Sequence, residues 1–282
     1  MSNRRIAIIA EGSKAIPLIQ ALEGLVISVY YTREPSDELK NFVKEKGLTI
    51  SKFSLESKYP YDLVLLFECH VIIPESLFRI GRWVNVHSGI LPKWRGYSAN
   101  SWALLNDEPF LGFTLHEVAR EFDSGPVIKQ YIIENDFESS YFDLRSRALT
   151  QLYKDIRETI SNYLMGVEKE EIPLATETNP LYCSVIRKED GYIYSFSRDA
   201  TWYCNLSRLF THNGISDLFL KHEGEFSKIK RIESCYNEYI GFENRILVKE
   251  SNRCMVSTSN GSIWVHPENM SHFVALLKRI NS

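Results

Sequence analysis

The sequence predicts an α/β protein, with an open and mostly parallel sheet flanked by helices, followed by a smaller β-rich domain. Three observations carry this expectation. Strand-like apolar runs alternate with amphipathic stretches through the first half of the chain, the pattern of strand–helix–strand units. One long segment repeats apolar residues at four-residue spacing, which builds a single buried helical face. A charged, polar stretch holding Pro173 and Pro180 then gives way to a series of short strand-like pieces.

Taken in order, Arg5–Ala10 reads as a buried strand, and Ser13–Glu23 as a helix with Ile16, Ile19 and Leu22 on one face. Leu25–Tyr31 is the second strand. Pro35 and Ser36 open a helix whose acidic start, Asp37 and Glu38, and whose stop at Gly47 suit the helix dipole and the C-terminal cap. Asp62–Phe67 is a central strand, Pro74–Ile80 a short helix, Trp83–His87 another strand, and Trp102–Leu105 falls in a further short helix. Gly112–Val118 and Val127–Ile133 are strands joined by a polar turn. Leu144, Ala148, Leu152, Ile156, Ile160 and Leu164 mark the long helix between Ser140 and Met165. Later strands are expected at Ile215–Leu220, Ser227–Ile232, Ile246–Lys249, Arg253–Thr258 and Ser262–His266, with helices over Asp199–Phe210 and Ser271–Ile280. The expected division is a first domain over 1–165, a linker over 166–181, and a β-rich domain over 182–282, for which an OB-like barrel is one arrangement.

A length of 282 residues accommodates one large domain and a smaller one. The formal net charge of −3 exerts no global pull towards nucleic acid or an anionic membrane. No apolar run reaches the roughly 18 residues that span a bilayer. Met1–Arg5 leads into the first strand without a signal-peptide layout, so a cytoplasmic protein is expected. Five scattered cysteines, Cys69, Cys183, Cys204, Cys235 and Cys254, form no CxxC pair and read as reduced.

The stretch Val84–Gln130 carries chemistry. Asn85 and His87 are two apart on a strand and share a face, and His87 sits at the strand's C-terminal end, where open α/β sheets place ligands. Leu91-Pro92 and Arg95-Gly96 form a turn-rich loop whose arginine suits an anion. Asp123-Ser124-Gly125-Pro126 is a tight turn presenting a carboxylate between two strands. An amide, an imidazole and a carboxylate without an evident serine or cysteine nucleophile suit direct acyl transfer. The first strand is followed by Ala10-Glu11-Gly12-Ser13 rather than GxGxxG, against a dinucleotide cofactor. No residue cluster has metal-ligand spacing. His116, on a strand near these residues, reads as a packing residue.

Order and spacing in this stretch resemble the 10-formyltetrahydrofolate-dependent formyltransferases, in Asn85-Val86-His87, Ser88-Gly89-Ile90-Leu91-Pro92, Arg95-Gly96 and Asp123-Ser124-Gly125. Gly89 and Ile90 depart from the family's usual loop. The resemblance spans Ile6–Leu164 and is strongest between Asp62 and Gln130. It implies a Rossmann-like formyltransferase domain and 10-formyltetrahydrofolate as formyl donor, without a metal. It also implies a catalytic set of His87 as base, Asn85 as oxyanion donor and Asp123 as orienter and proton relay. The folate is expected against Phe67, His70, Val71, Ile72 and Gly125.

The loop Lys93–Asn100 is similar to that of the nucleotide-sugar branch, typified by formylation of a dTDP-linked 4-amino-4,6-dideoxyglucose. On that resemblance Lys93, Trp94, Arg95, Gly96, Tyr97 and Asn100 are the expected substrate contacts, and the protein a homodimer without nucleic-acid or membrane partners. Arg187–Gly191 resembles the opening of the C-terminal domain of a methionyl-tRNA enzyme, the alternative acceptor class. From Leu181 to Ser282, however, 13 Lys and Arg face 11 Asp and Glu, with no basic stripe for a phosphate backbone. Glycinamide ribonucleotide enzymes leave the last hundred or so residues without a counterpart. A formyltetrahydrofolate hydrolase or a catalytically silent folate-binding protein is the reading from another class.

Overall fold

All four residues of Ile6–Ile9 (β1) are buried, although successive side chains of a strand point to opposite faces. A strand covered on both faces belongs inside a mostly parallel sheet, and β1 occupies such a place. The computed structural model describes residues 5–55, 59–69, 71–79, 81–167, 179–211, 217–235 and 241–281. His70, most of the expected linker, and the first two residues of the strand expected at Ile215–Leu220 lie outside the described residues.

After β1 come α1 (Ile16–Ala21), β2 (Val26–Tyr31), α2 (Asp37–Glu45), β3 (Thr49–Lys52), β4 (Leu63–Phe67), α3 (Glu75–Phe78) and β5 (Trp83–His87). Next are β6 (Trp94–Gly96), α4 (Ala99–Leu105), β7 (Phe110–Glu117), β8 (Val127–Glu134), α5 (Tyr141–Met165) and β9 (Leu181–Cys183). The order β3-β2-β1-β4-β5-β7-β8 makes a seven-stranded sheet, parallel from β3 to β5 and antiparallel at β5–β7. Strand order reverses between β1 and β4, so the loops leaving β4 and β5 share the edge where open α/β sheets bind ligands.

Local signals explain the helices. Ser36 caps α2 by accepting the Leu39 N–H at 3.3 Å, acidic Asp37 and Glu38 lie in its first turn, and Gly47 ends it with a φ of 66°. In α5, Leu144, Ala148, Leu152, Ile156, Ile160 and Leu164 are all buried, so the four-residue spacing is the helix's packed stripe. Beneath one sheet face, Ala7, Ile9, Val64, Leu66, Ile73, Leu77 and Trp83 form a core cluster.

Tyr192–Ile193 (β10), Ala200–Phe210 (α6), Leu218–His222 (β11), Glu225–Ser234 (β12), Ile246–Lys249 (β13), Cys254–Ser257 (β14), Ser262–Pro267 (β15) and Met270–Ile280 (α7) complete the chain. They build a six-stranded sheet, β10-β11-β12-β15-β14-β13, with α6 against β12 and α7 against β11. Its end strands do not pair with each other among the described residues, so this β-rich region is an open, helix-backed sheet and not the OB-like barrel. Two compact units result: residues 1–100, 111–133 and 146–184 in one, and 101–110, 134–145 and 185–282 in the other.

Four strands escape the sequence pattern, the two-residue β10 among them. β3 is an edge strand with three of four residues exposed, and therefore lacks apolar alternation. β6 and β9 have three residues each and, among the described residues, pair only with one another, in parallel. Among the described residues no helix is long and apolar enough to cross a membrane.

Replacing the buried Leu152 by Ala should cost about 2–5 kcal/mol of unfolding free energy. The same change at its exposed neighbour Gln151 should stay within about 0.5 kcal/mol. Denaturant unfolding of the two variants compares them, and equal effects would contradict the buried stripe.

Candidate active site

Antiparallel pairing of β5 with β7 sets His116 opposite Asn85 and Thr114 opposite His87, so four polar side chains meet at one end of the sheet. His87 is only 5% exposed. Its Nε2 lies 2.7 Å from the Trp94 carbonyl oxygen. A carbonyl only accepts, so Nε2 carries the hydrogen and the neutral ring keeps its lone pair on Nδ1. That Nδ1 faces Asp123 Oδ2 at 3.4 Å.

Asp123 adopts a φ of 49° in its turn, a left-handed conformation that aspartate tolerates better than most residues. Its Oδ2 accepts the Gly96 N–H at 2.8 Å. Its Oδ1 lies 3.5 Å from both Asn85 Nδ2 and His116 Nε2. His116 Nδ1 donates to the Glu117 carbonyl at 2.8 Å, which leaves Nε2 to accept the Asn85 amide at 3.2 Å.

Electrostatics follow from these contacts. Burial depresses the His87 pKa below its ordinary value, and the neighbouring His116 adds to this, against upward pulls from Asp123 and the Trp94 carbonyl. The imidazole is therefore a neutral base. Burial raises the Asp123 pKa, but the two neighbouring imidazoles, His116 and His87, and the Gly96 N–H outweigh it and hold the carboxyl at about 2.

The loop between β5 and β6 is tied from several sides. Thr114 Oγ1 donates to the Gly89 carbonyl at 2.7 Å and accepts the Leu91 N–H at 3.2 Å. Gln130 Nε2 donates to the Leu91 carbonyl at 2.8 Å. β9 pairs with β6, and Gly96, with a φ of 83°, comes so close to it that a Cβ would stand 2.6 Å from the Cys183 carbonyl oxygen. At Gly89 a Cβ would stand 2.8 Å from His87 Nε2 and 2.9 Å from the Trp94 carbonyl oxygen, so glycine leaves room for the bond that orients His87.

The structure thus brings Asn85, His87 and Asp123 together and adds His116, Thr114 and Gln130, which sequence reasoning passed over or read as packing. For Thr114 and His116 the signal was their alternation with Gly112 on one face of β7, whereas Gln130 lies on β8. Among the expected substrate residues, Lys93 and Arg95 are half-buried and Tyr97 is exposed. Trp94, expected as a substrate contact, is buried at 5% exposure and serves the site through its carbonyl. Asn100 is likewise a structural residue: its amide donates to Ser88 Oγ at 3.1 Å and the Gly112 carbonyl at 2.7 Å, and accepts the Gly112 N–H at 3.0 Å. Of the expected folate contacts, Phe67 is buried and Val71 packs on the core cluster. Gly125 is required by the close Glu117 carbonyl, and Ile72, 66% exposed, offers an open apolar surface. Among the described residues, no group of three or more His, Cys, Asp or Glu side chains is placed to hold a metal.

Residues 44–160 match the family model described as formyl transferase. A methionyl-tRNA formyltransferase from Nitratiruptor sp. is 24% identical over 247 residues, covering 80% of this chain and 75% of that protein. Another methionyl-tRNA formyltransferase, from Thermotoga neapolitana, is 34% identical over 129 residues, but the chain spans only 39% of its length. The crystal structure of WlaRD, a sugar 3N-formyl transferase in the presence of dTDP and 5-N-formyl-THF, aligns with a TM-score of 0.68 at 18% identity. That alignment covers 95% of this chain and 99% of WlaRD, so the likeness of fold extends over nearly all of both.

In an imidazole NMR titration, His87 should appear as the Nε2–H tautomer with a midpoint below about 6.5, and Asp123→Asn should lower it further by removing the charge that pulls it up. An upward shift in the variant would contradict the pairing. Both groups bind fewer protons folded than unfolded, so these two contributions to stability are complete above about pH 6.5 and shrink as pH falls towards the acid range. Gly89→Val should displace His87 and cut turnover on the order of a hundredfold, the loss seen for comparable misplacements. Unchanged turnover with the variant folded would remove Gly89 from the site.

Proposed function

We propose that this chain transfers a formyl group from 10-formyltetrahydrofolate to the amine of a nucleotide-linked amino-dideoxy sugar, with dTDP-4-amino-4,6-dideoxyglucose as the leading acceptor. One observation carries the chemistry: a buried neutral imidazole whose free Nδ1 faces a carboxylate at 3.4 Å, beside an amide donor. The folate supplies an activated formyl carbon whose bond to N10 is broken. As the acceptor nitrogen bonds to that carbon, His87 Nδ1 takes the ammonium proton, and Asp123 stabilises the imidazolium. Asn85 contributes an amide hydrogen to the developing oxyanion. Its longer contact, 3.5 Å to Asp123, is the one that this role redirects. The proton then returns through His87 and Asp123 to the departing N10. No serine or cysteine nucleophile is needed, and this donor set fits a formyl-folate.

The acceptor assignment rests on Lys93, Arg95 and Tyr97 for the diphosphate and sugar, on the near balance of charge from Leu181 to Ser282, and on near-whole-length likeness to a sugar enzyme's fold. Ile72 and Val71 are the apolar contacts retained for the folate. The chemistry falls within the proposed catalytic domain of 1–165. The linker 166–181 leads to the domain over 182–282, whose proposed role is to support a homodimer in the cytoplasm. Methionyl-tRNA is the second reading, favoured by the names of the sequence relatives.

His87→Ala should reduce formylation roughly 10²–10⁴-fold and Asn85→Ala roughly 10²–10³-fold, with unfolding transitions close to wild type. Near-wild-type turnover by either folded variant would exclude the mechanism. The acceptor is decided by assaying dTDP-, UDP- and GDP-linked amino sugars beside methionyl-tRNA, and preference for the tRNA would overturn the sugar assignment alone.

A further inference from the structure

The unit built on the open six-stranded sheet holds a cavity of about 560 Å³, distant in chemistry from formyl transfer and unused by it. Arg208 of α6 forms part of its wall and is 8% exposed. Among the described residues, every partner of its guanidinium is a neutral oxygen: the Ser139 carbonyl at 2.8 Å, Asn205 Oδ1 at 2.9 Å and Asn135 Oδ1 at 2.7 Å. These use three of its five N–H groups. No carboxylate among the described residues pairs with it.

A buried cation without a counter-ion is costly unless something anionic reaches it. The nearby acids do not serve. Asp107 and Asp136 act on it only at a distance; Asp107 accepts from Asn205 at 3.2 Å, and Asp136 from the backbone N–H groups of Glu138 and Ser139 and the Ser139 hydroxyl. Glu233, also on the wall, is matched by Arg231 and His266, each at 2.9 Å. Asp143 accepts the Ser140 hydroxyl at 2.6 Å in the first turn of α5. Glu138 and Asp143 line the same cavity and both are exposed to solvent.

The lining thus sets a buried cation that lacks a carboxylate partner among the described residues beside the exposed carboxylates of Glu138 and Asp143, while the exposed Arg231 is engaged by Glu233. A dianionic phosphate would also meet those carboxylates, whereas a molecule with an anionic head and a cationic group beside it satisfies both. The volume lies in the range of small-molecule sites. We propose that this cavity binds a small zwitterion of the amino-acid class, its carboxylate on Arg208 and its ammonium facing Glu138 and Asp143.

Calorimetric titration of the intact protein with L-alanine, L-glutamine and L-phenylalanine, beside acetate and inorganic phosphate, tests this. At least one amino acid should saturate a single site with a Kd at least tenfold below those of acetate and phosphate. Arg208→Gln should weaken it at least tenfold. Glu138→Lys, an exposed change that leaves the buried hydrogen bonds of Arg208 in place, should weaken the amino acid but not acetate, and it decides the matter even where Arg208→Gln does not fold. Absence of saturable binding, phosphate or acetate binding as tightly as the amino acids, or amino-acid binding indifferent to Glu138→Lys would overturn the proposal.

Discussion

Three residues of backbone, Trp94–Gly96, hold the site together. The Trp94 carbonyl fixes the hydrogen of His87 on Nε2, and the Gly96 N–H anchors the carboxylate that faces the other ring nitrogen. One short strand thus sets both the tautomer of the base and the position of its partner. Loss of either contact would leave His87 free to rotate or Asp123 free to turn outward in its left-handed turn. The strand is itself held by β9, which returns from far along the chain to pair with it in parallel. Glycine at 89 and 96 follows from this construction, since a side chain at either would push into the bonds that define it.

Burial makes these contacts effective. In a low-dielectric setting, a hydrogen bond or a facing charge shifts proton affinity much more than it does in water. His87 loses affinity for a proton because it is enclosed, while Asp123 stays ionised because donors and charges around it outweigh the same enclosure. Two groups in one pocket are therefore driven to the states that proton transfer requires, a neutral base and a negative partner. His116 takes part from the next strand, its tautomer set by the Glu117 carbonyl and its lone pair directed at Asn85.

The two arginine environments show how differently one residue type is used. Arg95, at the half-buried edge of the substrate loop, bonds the Pro92 carbonyl at 3.2 Å and the Tyr182 hydroxyl at 3.3 Å, and keeps contact with solvent. Arg208 is enclosed, and its hydrogen-bond partners among the described residues are neutral oxygens. Solvent screens the first charge, whereas the second must be satisfied locally.

Periodicity and residue type determined much of this protein without coordinates. Four-residue spacing located α5 and its buried stripe, Ser36 and Gly47 bounded α2, and the apolar runs located the inner strands, because each of these signals is local in the chain. The Asn85–His87 pair and the Asp123 turn were legible for the same reason: strand alternation and turn chemistry operate over a few residues. Tertiary structure alone decided that the Trp94 ring is closed to solvent while its carbonyl orients His87, and that Asn100 braces Gly112. It also decided that His116 stands opposite Asn85 and that β9 returns to β6. These depend on backbone groups, which carry no side-chain signature, and on pairings between segments up to 87 positions apart, as between Trp94 and Leu181. Partners at such separations are chosen by how the whole sheet packs.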